Sequence, residues 1–217
     1  MSDLVRIVLV GAGGHGREAL DAVEAVNRRG PTWDLVGMVA DMADGELLAR
    51  RGVVVLGPSD DLVEVLLRVD AGYHLAIGSS GARARLDAVV VAAGLGDRAV
   101  TIVHPRATTG GDVRIGAGVY LAPGAVVTTN VTLGRHTHLN VNAVVSHDCV
   151  VGDHVTFSPG VLVNGNATIG DRAFFGTGAI VLPGRSVGAD AVVGAGAVVT
   201  HDVPAQARAV GVPARWD

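Results

Sequence analysis

The sequence predicts two units: a small α/β domain of the Rossmann-like type over residues 1–102 and a parallel β-helix of hexapeptide repeats over residues 103–217. Three observations support this prediction. A glycine-rich stretch follows an apolar run near the start of the chain, and large aliphatic residues recur every six positions in the second half. In addition, Gly is abundant, with 31 residues, whereas aromatic residues make up only 3% of the chain. This composition disfavours an aromatic-rich core and favours a narrow structure that turns often.

The first unit alternates strand-like and helix-like segments. An apolar strand over 5–10 leads into the sequence GAGGHG at 11–16, and an amphipathic helix follows over 17–29. Further along the chain, the pattern predicts strands and helices in alternation, which indicates a parallel sheet covered by helices. The predicted strands are 35–40, 53–56 and 73–77, and the predicted helices are 60–69 and 80–93.

The glycines at 11, 13 and 16 fit the pattern G-x-G-x-x-G directly after a strand. Bare backbone N–H groups and a helix N-terminus in this arrangement bind phosphate. A unit of about 100 residues is roughly half of a dinucleotide-binding fold, so a nucleotide sugar fits better than NAD. A tight turn without ligand is the alternative. We expect these residues to bind the substrate: Gly13, Gly14, His15, Gly16, Asp41, Gly78 and Ser79.

Four of these candidates have specific expected roles. Asp41 ends the second strand and is expected to accept hydrogen bonds from a ribose or a base. His15 follows the glycines and either contacts the phosphate or sugar or only supports the start of the helix. Gly78 and Ser79 precede a later helix and are expected to line the same pocket.

The second unit repeats with a period of six residues. Four positions after each large aliphatic residue stands a small or aliphatic one, in a column from Val119 to Val203 that only Arg185 interrupts. This pattern is typical of a parallel β-helix with three short strands in each coil of 18 residues. Residue n should therefore lie beside residue n+18, about 4.8 Å away. Cys149 falls in the small column, so we expect it to be buried. The large residues are Ile115, Leu121, Val127, Leu133, Leu139, Val145, Val151, Phe157, Val163, Ile169, Phe175, Val181, Val187, Val193 and Val199.

Composition also excludes several functions. Every basic residue is Arg, which excludes Schiff-base chemistry on Lys and a P-loop Lys. The net charge of −4 disfavours a nucleic-acid partner. The single Cys fits a reducing compartment, and we find neither a signal peptide nor an apolar run long enough to span a membrane. We expect a cytoplasmic protein.

The combination of the GAGGHG loop, the uninterrupted hexapeptide repeat and the ending VGVPA at 210–214 resembles one protein family over nearly the whole chain. It is similar to the bacterial sugar acyltransferases of the sialic acid O-acetyltransferase NeuD family, which includes PglD-like N-acetyltransferases of nucleotide-linked 4-amino sugars. The resemblance implies a left-handed β-helix, a cytoplasmic homotrimer, and acetyl-CoA as co-substrate, bound in the groove between neighbouring prisms. It also implies a nucleotide sugar in the N-terminal domain and no metal.

The segment 140–152 matches the catalytic stretch of that family. The resemblance implies that His147 is the general base, Asp148 its partner and Asn140 a polar residue of the same site. The chemistry agrees, because an imidazole with a pKa near 6.5 can take the proton that an attacking amine loses, and a carboxylate can fix its tautomer. We therefore expect direct attack of the sugar amine on the thioester.

The acetyl-CoA site is expected to include Gly165, which lies one coil after His147 and, by resemblance, offers its backbone N–H to the thioester carbonyl; a tight turn alone would also explain this glycine. The other expected contacts are Thr156, Thr177 and Ala195. Many relatives have a second histidine at the position of Thr156, whereas here His154 lies two residues earlier. The sequence alone therefore does not determine which acyl donor the protein uses.

Three alternatives remain. The same site would serve O-acetylation of a sugar or sialic acid. A trimeric β-helix carbonic anhydrase would bind zinc through histidines such as His136, His138 and His154, of which the first and last are 18 residues apart and should stack. A nucleotide-sugar sensor or scaffold without catalysis is the third.

Overall fold

The computed structural model describes residues 4–216, and the chain divides into two compact units, Met1–Pro105 and Arg106–Asp217. Within the described residues, no helix combines the length and the apolar character that crossing a membrane would require.

The first unit is a four-stranded parallel sheet with helices between its strands, as the sequence predicts. The strand order is β3-β2-β1-β4, so β1 and β2 lie at the centre. The elements are β1 (Val5–Val10), α1 (Gly14–Arg29), β2 (Trp33–Val39), α2 (Gly45–Ala49), β3 (Val55–Gly57), α3 (Leu62–Val69), β4 (Gly72–Leu75), α4 (Ser80–Ala92) and β5 (Ile102–Val103).

Two details of this unit differ from the prediction. Helix α1 begins at Gly14, three residues earlier than predicted, because the glycine-rich loop itself forms the first turn with Gly13 as N-cap. The short helix α2 was not predicted, although its N-cap signal is present: Asp44 accepts a hydrogen bond from the backbone N–H of Leu47 at 3.0 Å.

The second unit is a left-handed β-helix with three parallel sheets as its faces. Each strand pairs with the strand 18 residues away; Thr132, for example, lies opposite Arg114 and Val150. The strands are β6 (Thr108–Thr109), β7 (Arg114–Ile115), β8 (Tyr120–Leu121), β9 (Val126–Val127), β10 (Thr132–Leu133), β11 (His138–Leu139), β12 (Val144–Val145), β13 (Val150–Val151), β14 (Thr156–Phe157), β15 (Leu162–Val163), β16 (Thr168–Ile169), β17 (Phe174–Phe175), β18 (Ile180–Val181), β19 (Ser186–Val187), β20 (Val192–Val193), β21 (Val198–Val199) and β22 (Arg208–Ala209).

For reference we name the three faces by their strands. Face A holds β6, β9, β12, β15, β18 and β21, and face B holds β7, β10, β13, β16 and β19. Face C holds β8, β11, β14, β17, β20 and β22. Turns after face A lead to face B and form the A–B edge, whereas turns after face C lead to face A and form the C–A edge.

The core of the prism is a stack of the periodic residues. The second residue of each strand points inward; Leu139 and Val145 are fully buried, and the rings of Phe157 and Phe175 stack with centroids 5.0 Å apart. Burying an aliphatic side chain of this size contributes roughly 1.5–3 kcal/mol. Cys149 is buried in the small column, as predicted.

The turns of the prism share one backbone feature. The third residue after each inward residue from Ile115 to Val193 has a positive φ, which Gly, Asn and Asp tolerate best. This requirement explains why the repeat is rich in these residues. His136 and His154 occupy this position in successive coils, and their rings stack with centroids 5.6 Å apart, as the spacing predicts.

The repeat shortens by two residues near its end. Val203 lies opposite Val187, and Ala209 opposite Val193, so the last step is 16 residues rather than 18. The prediction that Val203 belongs to the small column is therefore wrong: it takes the place of a large inward residue.

The chain then folds back over the last coil. Val210 and Arg215 form an antiparallel bridge, and the Ala214 N–H donates to the Val198 carbonyl at 2.8 Å. Ala214 is fully buried, and Trp216 packs against the end of the core.

Candidate active site

A histidine and an aspartate pair on the A–B edge, in the turn between β12 and β13. His147 Nδ1 donates to Asp148 Oδ2 at 2.8 Å, and Asp148 Oδ1 accepts a hydrogen bond from Asn130 Nδ2 at 3.1 Å. These two hydrogen bonds, with that from His147 the larger effect, hold the pKa of the Asp148 carboxyl below its usual value. The carboxylate thus fixes the proton of the imidazole on Nδ1, and Nε2 is left as an acceptor on the opposite side of the ring.

Gly165 lies one coil after His147, as the period predicts. The imidazole rests against its bare Cα: a Cβ built on Gly165 would lie 2.5 Å from Nε2 and 2.8 Å from Nδ1 of His147. The backbone also joins the two coils here, because the Asn166 N–H donates to the His147 carbonyl at 2.9 Å. Only a glycine leaves room for the ring in this place.

The repeat also fixes the direction of the Gly165 N–H. At the equivalent position of other turns, the N–H of Arg135 donates to Asp153 Oδ1 at 2.7 Å, and that of Asp153 donates to Asp171 Oδ1 at 2.9 Å. Proline, which has no N–H and so needs no acceptor, occupies the same position at 123, 159 and 183. In those turns the N–H is directed to the side chain one coil later; at Gly165 that neighbour is Pro183, whose side chain offers no hydrogen-bond acceptor.

The other predicted residues of the transferase site lie elsewhere on the same chain. Asn140 is in a turn of the C–A edge, 8% exposed, and its amide donates to the Phe157 carbonyl at 2.7 Å. Thr177 and Ala195 are exposed on that same edge in later coils, and Thr156 is buried on face C. A single chain therefore brings His147, Asp148 and Gly165 together, but it does not bring the C–A edge residues to them.

The first unit contains a cavity of about 660 Å³ at the carboxyl ends of β1, β2 and β4. In parallel α/β sheets this is where ligands bind. The predicted residues Gly13, Gly14, His15, Gly16, Asp41 and Gly78 all line it. Ser79 does not; its hydroxyl instead caps α4 by accepting from the Ala82 N–H at 3.3 Å.

The glycines of the loop are required for different physical reasons. Gly11 has a φ of +107°, and a Cβ on it would lie 2.7 Å from the Ala76 carbonyl oxygen. A Cβ on Gly16 would press into the backbone of Gly11, so this glycine permits close packing of α1 on β1. A Cβ on Gly13 or Gly14 would meet no atom within 4 Å, so these two residues leave their backbone open to the cavity.

Two of the polar candidates already have partners within the protein. Asp41 Oδ1 accepts from the Ser59 N–H at 2.8 Å and from its hydroxyl at 2.7 Å, and these bonds lower the pKa of the Asp41 carboxyl. His15 Nδ1 lies 3.6 Å from Glu18 Oε2, and the hydrogen bond from His15 lowers the pKa of Glu18. Asp41 therefore anchors the segment before α3 at the rim of the cavity.

Sequence reasoning missed Arg85, an exposed residue on α4 that lines the cavity. The spacing of Ala82, Arg85, Leu86 and Val89, which all line the cavity, is that of one helix face and was a usable signal. Arg83 faces the other way: it is buried, its Nη1 donates to the Ile77 carbonyl at 2.7 Å, and burial lowers its pKa to about 9. No ion pair joins Arg85 to another residue within 4–216.

The alternative of a β-helix carbonic anhydrase requires a zinc site. In the part of the chain that the structure describes, no group of three or more His, Cys, Asp and Glu is arranged to hold a metal ion.

A hexapeptide prism with a His–Asp pair on one edge, preceded by a glycine-loop α/β unit, defines an acyltransferase of the hexapeptide-repeat class. The model of the PglD N-terminal domain matches residues 6–88, and that of the hexapeptide repeat of succinyl-transferase matches residues 166–201. The chain belongs to the PglD-type sugar acyltransferases of this superfamily, the family that its sequence resembles.

Solved structures support this assignment over the full length. A mutant of perosamine N-acetyltransferase from Caulobacter crescentus, in complex with CoA and GDP-perosamine, is 30% identical, with 99% of this chain and 98% of that chain covered and a TM-score of 0.83. WeeI from Acinetobacter baumannii is 31% identical over 99% and 100% of the two chains, with a TM-score of 0.82. The acetyltransferase domain of PglB from Neisseria gonorrhoeae, in complex with acetyl coenzyme A, is 29% identical over 99% and 100%, with a TM-score of 0.87. No curated protein matches the sequence.

Proposed function

We propose that the protein transfers the acetyl group of acetyl-CoA to the amino group of a nucleotide-linked 4-amino sugar, with His147 as the general base. The observation that carries the proposal is the His147 ring, held at Nδ1 by Asp148 and packed on the bare Cα of Gly165. The similarity to an N-acetyltransferase crystallised with CoA and GDP-perosamine supports the choice of substrates.

The reaction needs no covalent enzyme intermediate. The neutral amine attacks the thioester carbonyl carbon, and His147 Nε2 takes the proton that the nitrogen loses as the C–N bond forms. Collapse of the tetrahedral intermediate breaks the C–S bond, and the imidazolium returns the proton to the thiolate, which leaves as CoA. Asp148 stabilises the imidazolium between these two steps.

Negative charge develops on the thioester oxygen during the attack. The Gly165 N–H is suited to stabilise it, since the same donor in neighbouring turns binds the carboxylate oxygens of Asp153 and Asp171.

The acceptor's nucleotide is assigned to the cavity of the first unit. Open backbone at Gly13 and Gly14, at the start of α1, provides N–H donors for the diphosphate. Arg85 supplies the positive charge on the facing wall. We place the reaction in the cytoplasm, in agreement with the free Cys149.

A homotrimer completes the site. The outward residues of face A form an apolar column: Val126, Val144, Leu162, Ile180 and Val198. Three copies that turn this face toward a common axis bury the column, and the C–A edge of each copy then meets the A–B edge of its neighbour. Asn140, Thr177 and Ala195 of one copy thereby reach His147 of the next, with acetyl-CoA between the prisms.

The substrate proposal is tested with a panel of UDP-, dTDP- and GDP-linked amino and hydroxy sugars, each mixed with enzyme and acetyl-CoA and analysed by mass spectrometry. We expect a gain of one acetyl group on an amino sugar and none on the hydroxy sugars. Acetylation of the hydroxy sugars would instead assign the protein to the O-acetyltransferases. No transfer to any acceptor would contradict the proposal.

The shared site is tested by complementation. We expect the variants His147→Ala and Thr177→Arg to be inactive alone, because each blocks one half of every site. Mixed trimers, made by co-expression, should regain part of the activity, since some sites then combine two intact edges. Trimers without any recovery would place the whole site on one chain.

A further inference from the structure

We infer that Asn130 is a positioning residue for the transfer reaction: it orients the Asp148 carboxylate and, through it, the His147 imidazole. The inference rests on the proposed role of His147 as the base. It adds to the machinery a residue from the preceding coil, one that touches neither the substrates nor the ring itself.

A line of hydrogen bonds crosses from one coil to the next. The Thr129 hydroxyl lies 3.2 Å from Asn130 Oδ1, Asn130 Nδ2 donates to Asp148 Oδ1 at 3.1 Å, and Asp148 Oδ2 accepts from His147 Nδ1 at 2.8 Å. Each carboxylate oxygen of Asp148 therefore has its own donor, so the plane of the carboxylate is held from both sides. An exposed carboxylate with one donor would rotate more freely.

The chemistry of the groups sets the orientation of the Asn130 amide. A carboxylate accepts hydrogen bonds only, so the NH₂ end must face Asp148. The carbonyl end then faces the Thr129 hydroxyl at 3.2 Å, whose one proton is shared between this oxygen and the Gly111 carbonyl at 3.0 Å. The reversed amide would place an oxygen against a charged oxygen, which is unfavourable.

The backbone alone does not require this residue. Position 130 has a φ of +56°, as do the equivalent positions 112, 148 and 166 within a few degrees, and Gly or Asp would serve the turn equally well. Along this column the residues alternate as Asp112, Asn130, Asp148 and Asn166, so no two carboxylates are neighbours. Asn130 thus gives Asp148 an amide donor where a second acid would repel it.

Removal of the donor has a defined consequence. The hydrogen bond from Asn130 lowers the pKa of Asp148. The other interactions that lower this pKa, a hydrogen bond and a charge interaction, both come from His147. The titratable or charged groups on this edge near the pair are His147, Asp148, the buried Cys149, which interacts with the Asp148 charge, and, two coils away, Asp112 before the pair and Arg185 after it. A change at Asn130 should therefore be visible in the pH dependence of kcat.

The test uses two variants and a matched control in the trimeric enzyme. Asn130→Gly keeps the turn and removes the donor; we expect kcat to fall about 10-fold, the lower end for a hydrogen bond to a charged group, with KM for acetyl-CoA unchanged. Asn130→Asp keeps size and backbone preference but adds a charge; we expect the acid limb of the kcat profile to move up by about half to one pH unit, because a second negative charge beside the His147–Asp148 pair makes protonation of the pair more favourable. Asp112→Gly removes a polar side chain at the same φ and edge and should match the wild type in both.

The outcomes separate this inference from the proposed function. If His147→Ala is inactive while Asn130→Gly keeps the wild-type kcat and pH profile, Asn130 only serves its turn and the inference is overturned. A lower Tm with unchanged kinetics has the same meaning. If Asn130→Gly does not fold, the pH profile of Asn130→Asp decides, and an unshifted acid limb overturns the inference. A His147→Ala variant with wild-type turnover would instead refute the proposed mechanism itself.

Discussion

Replacement of Gly165 by alanine is the sharpest perturbation of the candidate site. The added Cβ would lie 2.5 Å from His147 Nε2, whereas ordinary contact begins at 3.4 Å, so the ring must move by about 1 Å. A displacement of this size at a catalytic group costs about 10²-fold in rate. We therefore expect kcat of Gly165→Ala to fall about 100-fold.

Stability should hardly change in this variant. The His147 side chain is 54% exposed, so the ring can swing into solvent and no core residue needs to move. Gly165 is itself buried, but the three atoms nearest to the added Cβ all belong to the half-exposed His147 ring, so we expect the free energy of unfolding to change by no more than about 1 kcal/mol. Large loss of rate with an unchanged Tm is the expected signature.

The assay follows release of the CoA thiol with acetyl-CoA and an amino sugar nucleotide that the wild type accepts. Gly111→Ala is the matched control, because Gly111 occupies the same turn position on the same edge and a Cβ there meets no atom within 4 Å. We expect this control to have wild-type kcat. Wild-type turnover by Gly165→Ala would show that the packed position of the His147 ring is irrelevant to the reaction.

Three further predictions concern the base, the acceptor site and the core. His147→Ala should lower kcat by about 10²–10⁴, the usual contribution of a general base, while both substrates still bind, as measured by calorimetry; unchanged turnover would refute its role. Arg85→Ala should raise the acceptor KM about tenfold through a lost charge-assisted bond to phosphate, and Gly14→Val should raise it by a similar factor because its side chain enters the space over the open backbone. Neither change should affect CoA binding, and the exposed Arg50→Ala at the end of α2 serves as control for charge. Phe175→Ala should lower the free energy of unfolding by about 3–5 kcal/mol, since the ring is fully buried; a Tm equal to that of the wild type would contradict the stacked core.

The periodic part of the fold could be predicted closely because one rule governs it. Six-residue spacing fixes which residues point inward and which coil neighbour each one has, so the contact of His147 with Gly165 and the stacking of His136 on His154 follow from counting by 18. The rule failed where the period itself changed, at Val203, since two missing residues leave no mark in a column of valines and alanines.

The candidate site was less accessible to sequence reasoning. His147 and Asp148 are adjacent in the sequence, so their pairing could be predicted from the local sequence. The hydrogen bond from Asn130 to Asp148, in contrast, joins two coils and depends on side-chain orientation. In the first unit, the carboxylate of Asp41 is directed to Ser59, 18 residues later, across an irregular connection that no periodicity describes. Arg85 was missed because the pattern locates its helix without indicating which face of that helix turns to the cavity.

The return of residues 210–216 over the last coil has a consequence for the architecture as a whole. Parallel strands at the end of a prism present unpaired N–H and C=O groups, which invite further coils or another molecule. Here the Ala214 N–H and the Val210–Arg215 bridge occupy part of that edge, and Trp216 covers the end of the apolar stack. The length of the prism is therefore set by the returning segment 210–216 rather than by the repeat. Whole 18-residue units could be added between the coil of Ala195 and the tail, each lengthening the prism by about 4.8 Å, without disturbing either the proposed site or the closure.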